Sequence, residues 1–438
     1  MHSDPKRAAS LEEAQAIVTG AVKILASEKA PLKDALGRII RQDITSDIDY
    51  PPSDMSAMDG YGFESSATLE ATPAEPVLLR IAGVVKAGEM PSRRLDRGEC
   101  VSIMTGATLP PGCDAVLKSE DAEIRDARVV LRKPIPPGTF VRKKGEIARK
   151  GDRIDLRGRR ITPRTAGVLA AFGQDPVLVT KMPRVGVFAT GDEIVPYDTY
   201  PSPGCLRSSN APTLAGLASR LGCDVIDVGI SGDSGDDIGR HIEACRDCDV
   251  VIVSGGVADG EYDLVPGALE KIGAEIGLRE IRMSPGRRMV FGRRGDTVFF
   301  GVPGNPGAAV VSFEMVVKPG LLRMMGCADF LPTPFKARTT AGIEKERGYT
   351  KLIPGVVRQA YIEPDGWAPA RCRANLTPDE STTTRGQAPR PEAGMAVEPL
   401  KSRGAGDVLH IAEADCLICI EEAKASVSAN DLVDVFML

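Results

Sequence analysis

Val250-Val-Ile-Val-Ser254, followed by Gly255-Gly256, decides the fold class of this 438-residue chain. A continuous apolar run of this length is typical of a strand that is buried on both faces, as in a parallel sheet covered by helices. A second such strand is predicted at Val185-Gly-Val-Phe-Ala189. The apolar spacing predicts helices over 210–221, 236–245 and 265–272, and another that starts at 307. This alternation predicts an α/β domain with an open, mostly parallel sheet and helices on both sides.

Loops rich in glycine follow the predicted strands of this domain. In open α/β sheets, ligands bind beyond the carboxyl ends of the strands, and glycine loops that lead into helices expose backbone N–H groups to phosphate or another oxyanion. We therefore expect the substrate to be held by loop residues, which are Thr190, Gly191, Gly255, Gly256, Gly260, Pro285, Gly286, Arg287, Arg288, Pro303, Gly304 and Asn305.

Three carboxylates, Glu193, Asp233 and Asp263, belong to the same group of loops. Any one of them could be a helix cap or a solvated loop charge. If they converge on an anion-binding loop, they would repel a phosphate unless a cation lies between them. Mg²⁺ prefers oxygen ligands and requires no histidine, so it would resolve this conflict.

The remaining sequence predicts a multidomain chain. A capping box at Ser10-Leu-Glu-Glu13 predicts a helix to about Leu25, and a second short helix is expected over about Leu32–Arg41. The sequence predicts four domains. A helical N-terminal domain covers 1–46 and 153–183, and a β domain is inserted into it at 47–152. The α/β domain covers 184–330, and a C-terminal β domain covers 331–438.

Composition excludes several classes of protein. Asp and Glu outnumber Lys and Arg by 60 to 55, and aromatic residues make up 4%, so a dedicated nucleic-acid binder is not expected. The most apolar stretch, 298–317, is interrupted by Pro303-Gly-Asn-Pro306, which predicts a strand, a turn and a helix instead of a membrane span. The N-terminal residues lack the apolar segment of a signal peptide.

Histidine and cysteine usage narrows the possible chemistry. With three histidines, catalysis that depends on histidine or on His-ligated zinc is not expected. Ten cysteines are too few for a disulfide scaffold and predict reduced thiols in a cytoplasmic protein. The two CxxC pairs, Cys245/Cys248 and Cys416/Cys419, are interpreted as buried small hydrophobic residues, because neither has a second pair at zinc-site spacing.

Five motifs together resemble a known family. They are Ser56-Ala-Met-Asp-Gly-Tyr61, Met104-Thr-Gly-Ala107, Thr190-Gly-Asp-Glu193, Ser254-Gly-Gly-Val257 with Gly260-Glu-Tyr-Asp263, and Val302-Pro-Gly-Asn-Pro306. In this order they are similar to the signatures of the molybdopterin molybdotransferases (the MoeA family, to which the E domain of gephyrin is related). The resemblance runs from about Ser10 to Gly326, and more weakly to the C-terminus.

The resemblance implies an enzyme of molybdenum cofactor biosynthesis. Such an enzyme inserts molybdate into adenylylated molybdopterin and releases AMP, with Mg²⁺ or a similar ion. It further implies four domains, with a C-terminal domain like a β-barrel, and a homodimer whose active site combines the α/β domain of one protomer with N-terminal segments of the other. Candidate protein partners are the molybdopterin adenylyltransferase and acceptor molybdoenzymes. By motif position, the functional residues would be Asp59, Thr105, Glu193, Asp233 and Asp263, with Glu193 and Asp263 as metal ligands.

Several positions depart from the family pattern. They are Ile147, Ala258-Asp259, Glu280, Ser284, Arg287-Arg288 and Ala405. The loss of two lysines around the Pro285-Gly286 turn weakens the expected molybdate site, and the two arginines could compensate because guanidinium groups bind such anions well. The alternative hypothesis is therefore a non-catalytic or repurposed molybdopterin-binding paralogue. An NAD-dependent oxidoreductase is disfavoured, because no GxGxxG motif opens a strand-turn-helix unit.

Overall fold

The computed structural model describes residues 8–257, 264–363, 366–369, 393–404 and 406–438. The elements from β13 to α7 form an α/β unit. Its helices are α3 Asn210–Leu221, α4 Gly235–Ala244, α5 Leu264–Lys271, α6 Pro306–Ser312 and α7 Lys318–Met324, with a π-helical turn at Phe313–Val317 between the last two. Its strands are β13 Arg184–Thr190, β14 Ile194–Val195, β15 Leu206–Arg207, β16 Asp224–Ser231, β17 Val250–Ser254, β18 Glu275–Glu280, β19 Met283–Ser284, β20 Arg288–Arg294 and β21 Thr297–Val302.

The six-stranded sheet of this unit has the order β16-β13-β17-β21-β20-β18. The first four strands are parallel, whereas β20 is antiparallel to both of its neighbours. All five residues of β17 are buried, as predicted for a strand covered on both faces. Alternate side chains of β17 enter two cores: Ile252 packs with α3, α6 and α7, and Val253 packs with α4 and α5. The predicted open, mostly parallel sheet is confirmed.

The N-terminal part combines short helices with small sheets. Its helices are α1 Leu11–Ala21 and α2 Pro163–Ala171, with 3₁₀ turns at Leu32–Asp34, Ser65–Thr68 and Ser119–Asp121. Its strands are β1 Ser27–Ala30, β2 Ile44–Thr45, β3 Met55–Ser56, β4 Gly60–Phe63, β5 Val77–Val85, β6 Glu99–Ile103, β7 Ala115–Lys118, β8 Glu123–Arg125, β9 Arg128–Leu131, β10 Val141–Arg142, β11 Arg153–Ile154 and β12 Val177–Thr180. A six-stranded sheet of order β7-β4-β6-β5-β9-β8 dominates this part.

The helix predicted over Leu32–Arg41 is wrong. A single 3₁₀ turn at Leu32–Asp34 forms after Pro31, and the chain then reverses at Gly37, whose φ is +80°. The two isoleucines that follow occupy different cores and make isolated β-bridges: Ile39 with Arg160, and Ile40 with Val179. Because consecutive side chains point in opposite directions in extended backbone, tertiary packing favours an extended segment here over a helix.

The C-terminal part contains β22 Phe335–Thr339, β23 Ile343–Glu344, β24 Thr350–Glu363, β25 Gly366–Pro369, β26 Ala393–Pro399, α8 Val408–Ala412, β27 Cys416–Ile420, β28 Ser426–Val427 and β29 Leu432–Met437. Five of these strands pair in the closed order β24-β26-β22-β29-β27-β24, so the predicted barrel-like domain is confirmed. Strand β19 does not join the α/β sheet and pairs with β24 of the barrel. Among the described helices, none is both long and apolar enough to cross a membrane.

Candidate active site

A cleft of about 860 Å³ lies at the edge of the sheet where the parallel strands end. It receives the loops that follow β13, β16, β17 and β21. Predicted residues on its wall are Thr190, Gly191, Glu193, Asp233, Gly255, Gly256, Arg288, Pro303, Gly304 and Asn305. These ten come from five separate stretches of sequence, so the fold brings most of the predicted site residues of the α/β unit to one place.

Hydrogen bonds join the loops after β13 and β16. The Thr190 hydroxyl donates to Asp233 Oδ1 at 3.0 Å, and the Asp192 amide N–H donates to Asp233 Oδ2 at 3.3 Å. In return, the Asp233 amide N–H donates to Asp192 Oδ1 at 3.0 Å. Asp233 therefore fixes the threonine hydroxyl at the cleft, while its own carboxylate remains exposed at the surface.

Two glycines after β17 occupy positions where a side chain would clash with neighbouring atoms. Gly255 has a φ of +101°, and a Cβ at this position would lie 2.6 Å from the Thr190 carbonyl oxygen. Gly256 has a φ of +63° and packs closely against Val265 of α5. The glycines therefore let the backbone after β17 lie directly against the end of β13 at the cleft wall, where the Gly255 N–H donates to the Val302 carbonyl oxygen at 3.0 Å.

The N-terminus of α6 lies on the same wall of the cleft. Asn305 caps this helix, and its side-chain oxygen accepts from the Ala308 N–H at 3.3 Å. Asn210, at the start of α3, donates through its side-chain amide to Ser254 Oγ and to the Gly304 carbonyl, both at 2.8 Å. Asn210 thereby connects the ends of β17 and β21 to the beginning of α3.

The carboxylates of the cleft could contribute to a cation site. Glu193 and Asp233 both line the cleft and supply the hard oxygen ligands that Mg²⁺ prefers. Within the described ranges, no group of three or more His, Cys, Asp or Glu side chains is arranged to hold a metal ion. Asp263, the second predicted metal ligand, and Gly260 lie outside the described residues.

The two arginines predicted to bind molybdate both pair with one glutamate. Arg287 Nε lies 2.5 Å from Glu280 Oε1, and Arg288 Nη1 lies 3.1 Å from Glu280 Oε2. Arg287 also stacks on Tyr349, with its guanidinium carbon 5.3 Å from the ring centroid. Glu280 therefore offsets part of the positive charge that the prediction required of this pair.

The predicted residues of the 284–288 turn do not share one environment. Arg288 lines the main cleft, whereas Pro285 lines an adjoining cavity of about 540 Å³ that also receives Lys351 and Lys401 from the C-terminal part. Gly286 and Arg287 are outside the described linings of both. Asn305 borders the two cavities and so marks where they meet.

Asp59 and Thr105 meet in the N-terminal sheet instead of the cleft. Both the amide N–H and the hydroxyl of Thr105 donate to Asp59 Oδ1, at 2.6 and 2.9 Å. Both hydrogen bonds lower the pKa of the Asp59 carboxyl, and the one from the Thr105 amide has the larger effect. The pair is exposed, and the large apolar side chains next to it in the chain, Met58 and Met104, are exposed as well.

The two CxxC pairs have the environment of buried small hydrophobic residues. Cys245 and Cys248 lie in the core between the sheet and α4. Burial raises the pKa of the Cys245 thiol to about 12 and that of the Cys419 thiol also to about 12, so both are protonated at neutral pH. Cys416 is fully buried in the barrel core.

Sequence reasoning missed one wall of the cleft. Arg207, Ser208 and Asn210 line it, next to the start of α3. The stretch Arg207-Ser-Ser-Asn210, which stands immediately before a predicted helix, is the signal that could have identified this wall, because helix N-termini bind anions.

The fold and the cleft together define a multidomain protein whose α/β domain places glycine loops and carboxylates around one cleft. Three family models match the chain: the MoeA N-terminal region (domain I and II) over 9–173, the probable molybdopterin binding domain over 186–323, and the MoeA C-terminal region (domain IV) over 368–438. A solved structure of a molybdopterin biosynthesis MoeA protein from Pyrococcus horikosii is 30% identical to it, with a TM-score of 0.75, over 98% of this chain and 99% of the other. The chain belongs to the MoeA family.

Other relatives agree with this assignment. A protein from Staphylococcus aureus named molybdopterin molybdenumtransferase is 29% identical over 93% of this chain and 90% of its own length. A protein of the same name from Staphylococcus epidermidis matches with the same identity and coverage. A second MoeA structure, from Pyrococcus horikoshii OT3, shares the fold at 22% identity and a TM-score of 0.78, over 99% of this chain and 100% of the other.

Proposed function

We propose that this chain is a molybdopterin molybdenumtransferase, which inserts molybdate into adenylylated molybdopterin and releases AMP in a Mg²⁺-dependent reaction. One observation carries the proposal: the backbone at Gly255-Gly256, the N-terminus of α6 and two carboxylates line one cleft of about 860 Å³. A cleft of this size and composition suits a ligand that has a pyrophosphate between two ring systems.

The residues of the cleft would have separate roles. The N–H group at Gly256, together with the α6 N-terminus, would donate to the phosphate oxygens, while Gly255, whose N–H donates to the Val302 carbonyl oxygen at 3.0 Å, would hold the loop in place. Asp233 would hold the Thr190 hydroxyl in place, as its 3.0 Å hydrogen bond does here. Glu193, together with Asp263, would hold Mg²⁺, which would stabilise negative charge on the phosphoanhydride when bound.

The proposal includes a homodimer. Asp59 and Thr105 match family motifs, but they are outside the described lining of the cleft. The exposed apolar side chains of Met58 and Met104 beside them favour burial against another surface. In the dimer, Asp59 and Thr105 of one protomer would complete the cleft of its partner.

Complementation between two inactive variants tests this arrangement. Asp59→Asn and Glu193→Gln are each expected to be inactive as homodimers. When the two chains are co-expressed, half of the dimers would be mixed, and each mixed dimer would keep one intact site, so about a quarter of wild-type activity should return. A co-expressed sample that stays as inactive as either parent would contradict a shared site.

A catalytically silent molybdopterin-binding paralogue is the second candidate. The pairing of Arg287 and Arg288 with Glu280 favours it, because one carboxylate offsets part of the positive charge of the two arginines and so weakens their attraction for molybdate. If the arginines still bind molybdate, the double change Arg287→Ala, Arg288→Ala should raise the molybdate concentration for half-maximal turnover at least about tenfold, or about 1.4 kcal/mol. An unchanged molybdate concentration for half-maximal turnover would mean that molybdate binds elsewhere, with Lys351 and Lys401 in the adjoining cavity as the next candidates. Absence of turnover in the wild type would favour the paralogue.

The chemistry of the substrates also defines the neighbouring reactions. An adenylyl-transfer reaction must supply adenylylated molybdopterin, and a molybdoenzyme must accept the product. The molybdopterin adenylyltransferase and acceptor molybdoenzymes are therefore the protein partners that we propose.

A further inference from the structure

The turn after α4 brings two cysteines together. Cys245 is the C-cap residue of α4, and the Cys248 N–H donates to the Cys245 carbonyl oxygen at 2.8 Å, which closes a four-residue turn. The Cα atoms at the two ends of such a turn lie less than about 7 Å apart, and a disulfide joins Cα atoms that are about 4.4–6.8 Å apart. The turn therefore holds Cys245 and Cys248 at a separation that a disulfide can bridge.

The sulfur atoms of both cysteines lie over one glycine of β13. A Cβ on Gly186 would overlap Cys245 Sγ and would lie 3.4 Å from Cys248 Sγ. Both cysteines belong to the core between the sheet and α4, with exposed fractions of 1% and 4%. Because glycine has no side chain, both thiols point into the same small space.

The second CxxC pair has the same spacing but the opposite geometry. Cys416 and Cys419 both lie in strand β27. Residues three apart in a strand point to opposite faces, and their Cα atoms are about 10 Å apart. Accordingly, Cys416 is buried in the barrel core, whereas Cys419 packs against the separate core to which α1 and α7 contribute. A disulfide cannot bridge this pair without movement of the backbone.

We propose that Cys245 and Cys248 form a redox-sensitive dithiol, a site of reversible oxidation that closes to an intramolecular disulfide with a small disulfide such as glutathione disulfide as the oxidant. Oxidation would fasten the end of α4 to the segment that enters β17. The turn lies before the start of β17, whereas the cleft lies at its end, so this inference does not depend on the proposed function.

Oxidation would take place in two exchange steps. Burial raises the pKa of both thiols, that of Cys245 to about 12, whereas the charge of Arg184 and the neighbouring Cys245 thiol lower the pKa of Cys248. Cys248 therefore loses its proton first and attacks glutathione disulfide, which forms a mixed disulfide and expels one glutathione thiolate. The Cys245 thiolate then attacks the Cys248 sulfur and expels the second. The two protein thiols lose two electrons and two protons, and glutathione disulfide becomes two molecules of glutathione.

Access to the thiols depends on the two residues between them. Arg246 and Asp247 are exposed, with 70% and 73% of their side-chain surface open to solvent. Opening of this surface turn would expose both sulfur atoms while the sheet stays folded. Since the closed turn buries both thiols, the native reduced protein should exchange slowly, over hours.

Peptide mapping of the full-length chain in glutathione buffers tests the site. The share of glutathione disulfide is varied, and equilibrium is approached both from the native reduced protein and by refolding from urea in the same buffers. After an acid quench and unfolding, free thiols are alkylated, and digestion after glutamate keeps each CxxC pair within one peptide. The peptide with Cys245 and Cys248 should become unalkylated and lighter by two hydrogen atoms, whereas the peptide with Cys416 and Cys419 should carry two alkyl groups.

Two variants and one stability measurement complete the test. Cys248→Ala should abolish the intramolecular disulfide, whereas the matched change Cys419→Ala should leave it unchanged. The oxidised wild type should unfold at a urea concentration at least as high as the reduced protein, because the native turn already holds the two residues together. Dithiothreitol should restore the behaviour of the reduced protein.

The wild-type map requires no substitution, so the result does not depend on the folding of a variant. The proposal is overturned if Cys245 and Cys248 remain fully alkylated after refolding at the highest share of glutathione disulfide. It is also overturned if Cys416 and Cys419 close to the same extent, or if oxidation lowers the urea midpoint.

Discussion

Replacing Gly255 with alanine tests whether the backbone after β17 forms the phosphate-binding wall. Gly255 has a φ of +101°, a conformation that costs an L-residue about 1–2 kcal/mol. Its added Cβ would also lie 2.6 Å from the Thr190 carbonyl oxygen, which is backbone and cannot turn away as a flexible side chain could. Crowding of this kind costs about 1–3 kcal/mol more, so we expect a total loss of about 2–5 kcal/mol in the free energy of unfolding.

Gly273→Ala supplies the matched control. Gly273 has a φ of +79°, but a Cβ there would meet no heavy atom within 4 Å. This variant therefore has the backbone cost alone, about 1–2 kcal/mol, and it lies in the turn between α5 and β18. The difference between the two variants isolates the effect of contact between Gly255 and Thr190.

Two measurements complete the test: urea unfolding of both variants, and calorimetric titration of both with AMP. Relief of the contact must move the loop at Gly255, so the N–H group of the adjoining Gly256 would leave the phosphate position and AMP affinity should fall at least about tenfold. Gly273→Ala should bind AMP like the wild type. The reasoning is refuted if the two variants lose equal stability and Gly255→Ala retains full AMP affinity.

Three further predictions address other parts of the molecule. Thr105→Val removes a hydroxyl that donates to Asp59 and should raise the pKa of that carboxyl, which NMR titration would detect. Because the folded-state pKa is lowered, the stabilisation of the fold by this contact is present at neutral pH and is lost as the pH falls below about 4. The assignment is contradicted if the free energies of unfolding of variant and wild type differ by the same amount at pH 7 and at pH 3. Cys245 and Cys248 should resist alkylation at pH 8 in the native protein and react in urea, since burial raises the pKa of both thiols; rapid native labelling would count against this. Asp263→Asn should leave the urea midpoint unchanged and strongly reduce Mg²⁺-dependent turnover, and turnover within about twofold of wild type would remove Asp263 from the metal site.

The α/β unit was predictable from sequence because its elements have unambiguous periodicity. Helix α3 spans the residues that the apolar spacing predicted, and β17 forms where the continuous apolar run stands. Strand β18 escaped prediction because Glu275-Ile-Gly-Leu-Arg-Glu280 is interrupted by glycine and charged residues. Its pairing with β20 is set by contacts that arise only in the folded sheet.

The candidate site was predictable where it depends on backbone groups in glycine motifs. It was less predictable where it depends on contacts between side chains. The Gly255-Gly256 loop could be predicted from the local sequence alone, without information on the residues that contact it in the fold. The sharing of Glu280 by two arginines depends on contacts that arise only in the fold, so local patterns could not reveal it.

The measurement that tests the central proposal most directly is AMP release from adenylylated molybdopterin by the purified chain, with Mg²⁺ present and the molybdate concentration varied. We expect AMP release that rises to saturation with molybdate and falls sharply in Glu193→Gln. If the protein binds AMP normally but molybdate does not increase AMP release at any concentration, the chain is not a working molybdenumtransferase.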